Sequence, residues 1–346
     1  LAQAADGAVK ALFDRRSAAL GLLGKHIDSK TGVWTETQSS IGTNGDSFYE
    51  YLLKMYVLWG DVGYWDMFMQ VYTSVQRFVR EGDWYADVEM EGGALTSRTF
   101  DNLMAFWPGM QTLMGEVTLA SRTLNAFYLV WRDWGFLPEQ FSQDQWALKE
   151  HGIGRAYPLR PELIESTLLV HRASGDPSWL WAGSDFLRSL QVCVSQAFCR
   201  TECGYAGVRD VEDCSLDEQM PSFFLSETLK YLYLLFDEDN FIHRGNYVFS
   251  TEAHPFSIDT VRHGGHIPSG SRNGNGGSSS TSCGISDSGS RQGGKPGGVG
   301  TAVGSVNVDT TQEPAKQKQQ PDQEQRRETQ EPPPQPQQAT EEEGKK

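Results

Sequence analysis

Acidic side chains recur in this sequence where a polar loop leads into a predicted helix. The positions are Asp46, Glu50, Glu139, Glu162, Glu165, Glu227 and Glu252. Two carboxylates across a sugar can hydrolyse a glycosidic bond, because one serves the leaving oxygen as an acid and the other activates water. Carboxylates also bind hydroxyl groups and hard cations, and aromatic faces stack on sugar C–H surfaces. The pattern therefore favours polyol chemistry.

Each of these positions also has a purely structural explanation. Asp46 is a common N-cap residue, and Glu162 and Glu165 follow a proline in a first helical turn, where acids are favoured. Glu139 and the neighbouring candidate Arg160 could be ordinary surface charges. What favours one shared site is that the carboxylates recur at the same structural position.

The segment 222–256 joins a predicted helix to a short β-like run. Phe223 and Glu227 are four residues apart, so they share one face of that helix. The cluster Thr251-Glu252-Ala253-His254 then offers hard oxygen ligands and a titratable ring within one turn. A core helix capped by Ser222 is the structural alternative.

Hydrophobic periodicity predicts about eight helices that would position these residues. They span about 4–24, 48–59, 64–81, 100–113, 116–133, 161–174, 177–196 and 222–236, with short β pairs at 83–99 and 204–211. Helix pairs with Gly-Asp breaks recur at intervals of roughly 60 residues. Repeated αα-hairpins with long loops on one side predict an all-α toroid, and no alternating strand pattern supports a doubly wound sheet.

Aromatic residues divide the chain, because every Phe, Trp and Tyr lies at or before Phe256. Residues 257–346 are rich in Gly, Ser, Gln and Pro, which predicts a disordered low-complexity tail. Residues 1–256 carry 20 Lys and Arg against 34 Asp and Glu, a charge of −14 out of −15. This acidity argues against nucleic acid as a partner and fits a neutral or cationic ligand, a metal or a plain solvated surface.

Four of the five cysteines cluster within a short stretch. The five are Cys193, Cys199, Cys203, Cys214 and Cys283. Their spacing lacks the paired knuckles of a zinc site, so one or two disulfides and four free thiols are the alternatives. No run of 18 apolar residues occurs, so no transmembrane segment is expected. The sequence begins with Leu1 and shows no signal peptide, from which we expect a partial chain.

Four motifs resemble glycoside hydrolase family 47, the class I α-1,2-mannosidases. They are Gly45–Lys54 (GDSFYEYLLK), Arg160–Ser166 (RPELIES), Ser222–Phe236 (SFFLSETLKYLYLLF) and Phe249–Pro255 (FSTEAHP). The segment Leu103–Gln111 (LMAFWPGMQ) is most similar to the branch of ER degradation-enhancing α-mannosidase-like proteins. The resemblance implies an inverting hydrolase built on an (α/α)7 barrel with a Ca²⁺ at its base.

The chain departs from the family pattern in one respect. By the resemblance, the third catalytic carboxylate of the family, the proposed acid, lies in a Phe-Glu-x-Thr-Ile-Arg-like motif on an early helix, and this sequence has no such acid motif. We therefore expect residues 1–256 to be the C-terminal two-thirds of the catalytic domain, with a barrel that is incomplete at the N-terminus.

Carried over motif by motif, the resemblance implies a role for each candidate residue. Asp46 would belong to the catalytic group, and Glu162 would be the general base. Thr251 would bind Ca²⁺ through its carbonyl and hydroxyl oxygens. The glycan and the water shell of the metal would be contacted by Glu50, Glu139, Arg160, Glu165, Phe223, Glu227 and Glu252.

The resemblance also implies a cellular role. The protein would trim mannose from N-linked high-mannose glycans of misfolded glycoproteins in the endoplasmic reticulum, in the lumen or associated with the membrane. An oxidoreductase partner is a further implication. Because the acid motif is absent, a non-catalytic protein that binds high-mannose glycans, or an inactive fragment, is the alternative.

Overall fold

Helices form the frame of the structure, a computed structural model that describes residues 1–150, 152–191 and 199–262. These residues all belong to one unit, Leu1–Asn273. The described α-helices are α1 (Ala2–Phe13), α2 (Asp46–Trp59), α3 (Val62–Phe78), α4 (Trp107–Leu113), α5 (Val117–Trp134), α6 (Glu162–Ser174), α7 (Ser178–Gln191), α8 (Leu229–Phe236), α9 (Phe241–Arg244) and α10 (Ile258–Arg262). Asn102–Phe106 and Ile153–Arg155 form 3₁₀-helices, and Phe224–Thr228 forms a π-helix.

The strands are short and lie in the loops between helices. They are β1 (His26–Ile27), β2 (Trp34–Glu36), β3 (Gln38–Ser39), β4 (Arg80–Glu81), β5 (Trp84–Tyr85), β6 (Asp87–Glu89), β7 (Leu95–Ser97), β8 (Thr99–Asp101), β9 (Gln140–Ser142), β10 (Ala147–Leu148), β11 (Arg200–Thr201), β12 (Gly204–Tyr205), β13 (Val208–Asp210), β14 (Ser215–Leu216), β15 (Tyr247–Phe249) and β16 (Pro255–Ser257). Every strand pairing in the described part of the chain is antiparallel. Two small sheets have three strands, in the orders β3-β6-β7 and β10-β9-β8.

Alternate helices lie side by side, and the helices between them pack behind. Helix α4 contacts α2 and α6, and α6 contacts α8. Helix α3 packs on α2, α5 packs on α4 and α6, and α7 packs on α6 and α8. This arrangement confirms the predicted all-α fold, an (α/α) barrel that is incomplete at the N-terminus, with short β-hairpins in its loops.

Several predicted elements differ from the observed ones. The first helix ends at Phe13 and not near residue 24, because the Ser17 hydroxyl accepts hydrogen bonds from the N–H groups of Leu20 and Leu22 and forms a turn. The predicted helix 100–113 is divided into the end of β8, a 3₁₀-helix and α4. The predicted helix 222–236 is divided by the π-helix, and residues 192–196 of the predicted helix 177–196 lie outside the described residues.

The predicted tail, which begins at residue 257, starts within regular structure. Strand β16 ends at Ser257 and α10 continues to Arg262, so regular structure extends past residue 256. The remainder of the predicted tail lies outside the described residues, and the division into domain and tail stays a prediction. No helix in the described part is long and apolar enough to cross a membrane.

Two groups of buried aromatic rings hold the helices together. Trp107 is fully buried, and its ring lies 5.5 Å from Tyr49, 5.7 Å from Tyr72 and 5.5 Å from Tyr85 between ring centres. Trp131 centres a second group, formed with Phe136, Tyr157 and Phe186. Buried aromatic pairs at these separations add to the stability that area burial provides, and these pairs connect α2, α3, α4, α5 and α7.

The described cysteines are in two states. Cys214 is disulfide-bonded, whereas Cys199 is a buried free thiol and Cys203 an exposed one. The sequence left two alternatives, one or two disulfides or four free thiols, and the bonded Cys214 confirms that at least one disulfide is present.

Candidate active site

Asp46 and Glu50 lie at the start of α2. The chain enters the helix through Asn44, which adopts a left-handed backbone with φ of 72°. The Asp46 carboxylate accepts a hydrogen bond from the backbone N–H of Ser47 at 2.7 Å. One turn later, the buried carboxylate of Glu50 forms an ion pair with Lys54, which is only 3% exposed. The lysine supplies a buried positive charge beneath the acidic residues.

Glu162 and Glu165 lie on the first turn of α6, directly after Pro161. A proline at this point is pre-set for a helix start, and the helix dipole favours acids in the turn that follows. One carboxylate oxygen of Glu162, Oε2, is buried and has no hydrogen-bond partner among the described residues. A buried carboxylate oxygen without a donor is costly, so it indicates a position where water, a ligand or a cation binds.

Glu227 lies in the π-helix that precedes α8 and is 7% exposed. π-Helical turns are rare and often occur at functional sites, because the inserted residue redirects nearby side chains. The next residue, Thr228, is fully buried, and its hydroxyl donates a hydrogen bond to the Leu159 carbonyl at 2.6 Å. The π-helix is thus attached to the loop that precedes α6.

These carboxylates meet in one cavity of about 200 Å³. Its walls are formed by Asp46, Ser47, Glu50, Leu103, Phe106, Pro161, Glu162, Glu165, Glu227 and Thr251. The structure therefore brings six of the ten residues singled out in the sequence to a single cavity, although they come from four separate motifs. Its volume suits one small polar group better than a drug-sized ligand.

Glu139, Arg160 and Phe223 form a second group. The Arg160 guanidinium donates to both Glu139 carboxylate oxygens, from Nε to Oε1 at 2.5 Å and from Nη2 to Oε2 at 3.1 Å. Its central carbon lies 5.8 Å from the centre of the Phe223 ring. Arg160 and Glu139 also line a groove of about 1110 Å³. A planar guanidinium held in two-point contact is well placed to present its remaining N–H groups to a polar ligand.

Thr251 and Glu252 occupy the turn between β15 and β16. The turn is held by the Ser250 hydroxyl, which accepts the N–H of Glu252 at 3.2 Å, and Ala253 adopts a left-handed backbone with φ of 56°. Thr251 lines the cavity, whereas Glu252 does not. Burial is the largest cause of the raised pKa of Glu227, and the charge of Glu252 is the next, which places Glu252 electrostatically beside the cavity.

Burial changes the proton affinity of the cavity carboxylates. It raises the pKa of Glu162 to about 8, although the charge of Arg160 acts in the opposite direction. Burial also raises the pKa of Glu165 and of Glu227, each to about 7. The pKa of Asp46 is raised as well, again mainly by burial. The cluster therefore holds protons near neutral pH, and any bound cation would favour its ionised form.

The oxygen atoms around Thr251 suit a hard cation better than a metal held by side chains alone. In the described residues, no three His, Cys, Asp or Glu side chains converge on one point, so ligation by a cage of carboxylates does not fit. A hydroxyl and a carbonyl at Thr251, with several carboxylates nearby and an unpartnered oxygen on Glu162, fit a hard cation that keeps part of its water shell.

Asp101 lies beside the site but was not singled out in the sequence. Its carboxylate accepts hydrogen bonds from the Thr43 hydroxyl and from the backbone N–H of Leu103, the latter at 2.9 Å. Its charge contributes, after burial, to the raised pKa of Asp46. An Asp just inside a predicted helix start is a readable capping signal. Its proximity to Asp46 depends on a contact across 58 residues, which no local signal reveals.

Fold and site together define an α/α-barrel protein with a carboxylate-lined cavity, the architecture of the barrel glycosidases. The alpha-1,2-mannosidase from Trichoderma reesei shares the fold, with a TM-score of 0.64 over 74% of this chain and 61% of that chain, at 24% identity. Residues 2–258 match the family model described as Glycosyl hydrolase family 47. The chain belongs to this family.

Curated relatives agree with the family assignment. The chain is 45% identical over 262 residues to Alpha-mannosidase I MNS4 of Arabidopsis thaliana, a match that covers 74% of this chain and 41% of the relative. It is 40% identical over 267 residues to ER degradation-enhancing alpha-mannosidase-like protein 2 of Homo sapiens, covering 72% of this chain and 45% of the relative. The chain thus spans less than half the length of these relatives.

Proposed function

We propose that this protein is an α-1,2-mannosidase-type glycoside hydrolase that inverts the anomeric configuration and depends on Ca²⁺. The observation that carries the proposal is the cavity of about 200 Å³ in which five carboxylates and Thr251 meet, on a chain of family 47. Its size and polarity suit one sugar ring. Relatives named as alpha-mannosidases support mannose as that sugar.

Glu162 is the proposed general base. Its Oε2 atom has no hydrogen-bond partner among the described residues, so it is available to take a proton from the attacking water. A base must be ionised, and the positive charge of Arg160 acts in that direction by lowering the pKa of Glu162. When bound, Ca²⁺ would supply further positive charge that favours the ionised carboxylates.

Asp46 is proposed to relay a proton through water to the leaving oxygen. Burial raises its pKa, so Asp46 retains a proton more readily than an exposed aspartate does. As water oxygen bonds to the anomeric carbon, the carbon–oxygen bond on the opposite face breaks and the leaving oxygen takes up a proton. Attack and departure on opposite faces invert the configuration.

Substrate contacts are assigned to the groups around these two residues. The Phe223 ring would pack on the apolar face of the sugar, and Arg160, fixed by Glu139, would donate to its hydroxyl groups. Thr251 would hold Ca²⁺ through its carbonyl and hydroxyl oxygens. The remaining carboxylates would accept hydrogen bonds from sugar hydroxyls or from the metal's water shell: Glu50, Glu165, Glu227 and Glu252.

The proposal extends to the cellular setting. Relatives carry the name ER degradation-enhancing alpha-mannosidase-like protein, which supports action on high-mannose N-glycans of misfolded glycoproteins in the endoplasmic reticulum, in the lumen or at the membrane.

An oxidoreductase partner is part of the same proposal, and the exposed free thiol of Cys203 supports it. A mixed disulfide trapped from cells should disappear in the Cys203→Ser variant; if the partner is still captured, Cys203 is not the attachment point.

The central test measures mannose released from a purified high-mannose N-glycan. We expect release by the protein in Ca²⁺, loss of release in a chelator, and recovery when Ca²⁺ is restored. Proton NMR of the first product should show β-mannose, because inversion converts an α-linkage into the β-anomer. First formation of the α-anomer would contradict the inverting assignment.

Two variants sharpen this test. Glu162→Gln should lower kcat by at least about 100-fold, since loss of a positioned base typically costs 10²–10⁴ in rate. Glu91→Gln is the matched control, because Glu91 is exposed and does not line the cavity. Binding of the glycan without any turnover would refute the hydrolase proposal and favour a glycan-binding protein.

A further inference from the structure

Strained backbone occurs where the chain enters or leaves the site. Five non-glycine residues in the described part adopt positive φ, and three of them lie within two residues of site residues: Asn44, Leu159 and Ala253. Leu159 has φ of 64°, and a bulky side chain in this left-handed region costs roughly 1–2 kcal/mol. Such a conformation persists only where its surroundings hold it.

Two hydroxyl groups hold this part of the chain at successive carbonyls. Thr228 donates to the Leu159 carbonyl at 2.6 Å, and Tyr157 donates to the Arg160 carbonyl at 2.9 Å. The side chains of Leu159 and Thr228 are both fully buried. Water therefore cannot replace the Thr228 hydroxyl, and its loss would leave a buried carbonyl without a donor.

The contact also joins two parts of the site that are 69 residues apart. We infer that Thr228 is a positioning residue: its hydroxyl holds Leu159 in the left-handed conformation and so sets Arg160 against Glu139 in the neighbouring groove, two residues before Glu162. The measurement of kcat/KM rests on the proposed function, whereas the measurement of φ at Leu159 does not. The π-helix thereby fixes the α6 entrance as well as Glu227.

A purely structural role for Thr228 makes different predictions. If the hydroxyl only satisfied a buried carbonyl, its loss would lower stability and leave the activity of the folded protein unchanged. A positioning role requires that the effect pass through Arg160. The two roles are therefore separated by activity measured below the melting temperature and by coupling between the two residues.

The experiment compares Thr228→Val, Thr228→Ser and the control Thr123→Val. Thr123 is also fully buried, but its hydroxyl has no hydrogen-bond partner among the described residues. We expect kcat/KM on a high-mannose glycan to fall by about 10- to 100-fold in Thr228→Val, since small misplacements of positioning groups cost up to that much. Thr228→Ser should stay within about threefold of wild type, as should Thr123→Val.

A double-mutant cycle with Arg160→Ala tests the route. Because Thr228 acts through Arg160, the double variant should lose no more than Arg160→Ala alone; additive losses would overturn the inference. The same cycle is run on the dissociation constant for the glycan, which needs no turnover.

If wild type neither cleaves nor binds the glycan, the proposed function fails by itself. The crystal structure of Thr228→Val then decides: φ of Leu159 should turn negative, and an unchanged Leu159 would overturn the inference.

Discussion

Replacement of Glu162 by Gln should stabilise the metal-free protein at high pH. Glu162 has a pKa of about 8 in the folded protein, against an ordinary value of 4.5. The folded state therefore binds a proton that the unfolded state releases at lower pH. Its destabilising contribution is absent below the unfolded pKa, grows as pH rises through the window from 4.5 to 8, and is complete above the folded pKa.

The size of the effect follows from that shift. At 1.36 kcal/mol for each pKa unit, the shift corresponds to an upper limit of about 5 kcal/mol. Relaxation around a buried charge lowers its real cost, so we expect Glu162→Gln to raise the free energy of unfolding by about 2–3 kcal/mol at pH 9. At pH 4, where the glutamic acid is neutral in the folded state, the gain should be close to zero.

Urea unfolding in the presence of a chelator, followed by tryptophan fluorescence, measures this difference at pH 4, 7 and 9. Glu91→Gln is the control for the loss of one exposed charge. Addition of Ca²⁺ at pH 9 should stabilise wild type more than Glu162→Gln, because only the wild type has the carboxylate charge to neutralise there. If Glu162→Gln raised the free energy of unfolding equally at all pH values, or not at all at pH 9, the buried charge of Glu162 would not be what destabilises the folded protein.

Three further variants test the wall of the site and the packing behind it. Phe223→Ala should weaken binding of a high-mannose glycan by about 10-fold, the value of a lost ring-stacking contact; unchanged affinity would remove Phe223 from the sugar site. Arg160→Lys should lower kcat/KM by about 10-fold because an ammonium cannot make the two-point contact, and an unchanged kcat/KM would argue against that geometry. Gly183→Ala should lower the free energy of unfolding by about 1–3 kcal/mol, since the added Cβ would lie 2.4 Å from the Leu235 side chain. Gly7→Ala in α1 is its control, with no atom within 4 Å, and an equal loss in both would show that packing against Leu235 is not the cause.

The sequence was informative where local pattern and chemistry coincide. Asp46 at a helix start and Glu162 after a proline are each recognisable from neighbouring residues, and α6 begins where Pro161 predicts it. Phe223 and Glu227 do lie on one helical segment, but a π-helix begins between them and only Glu227 lines the cavity. The toroid followed from the repeated helix pairs, because the same break recurs between successive pairs of helices.

What the sequence did not reveal depends on contacts between distant residues. The first helix ends early because the Ser17 hydroxyl captures two later N–H groups, which competes with the helical periodicity before it. Asp101 and Thr228 matter through partners 58 and 69 residues away. The π-helix around Glu227 has no local signature, because one extra residue in a helical turn is tolerated only when neighbouring elements stabilise it.

The strained and the buried residues of the site share one physical explanation. Carboxylates with raised pKa values and left-handed backbone at Leu159 both cost stability, and they lie at the start of α2, at the start of α6 and in the π-helix before α8. Costs of this kind accumulate only at positions that the rest of the structure holds firmly. The aromatic groups around Trp107 and Trp131 provide part of that support, since Tyr49 of α2 packs on Trp107 and Tyr157, in the loop before α6, packs on Trp131. A bound cation would offset the cost of the buried carboxylate charges, and the Thr228 hydroxyl offsets the cost of the left-handed backbone at Leu159. Both would therefore act on the same small region. Metal removal combined with Thr228→Val should thus weaken substrate binding by more than the loss of overall stability explains.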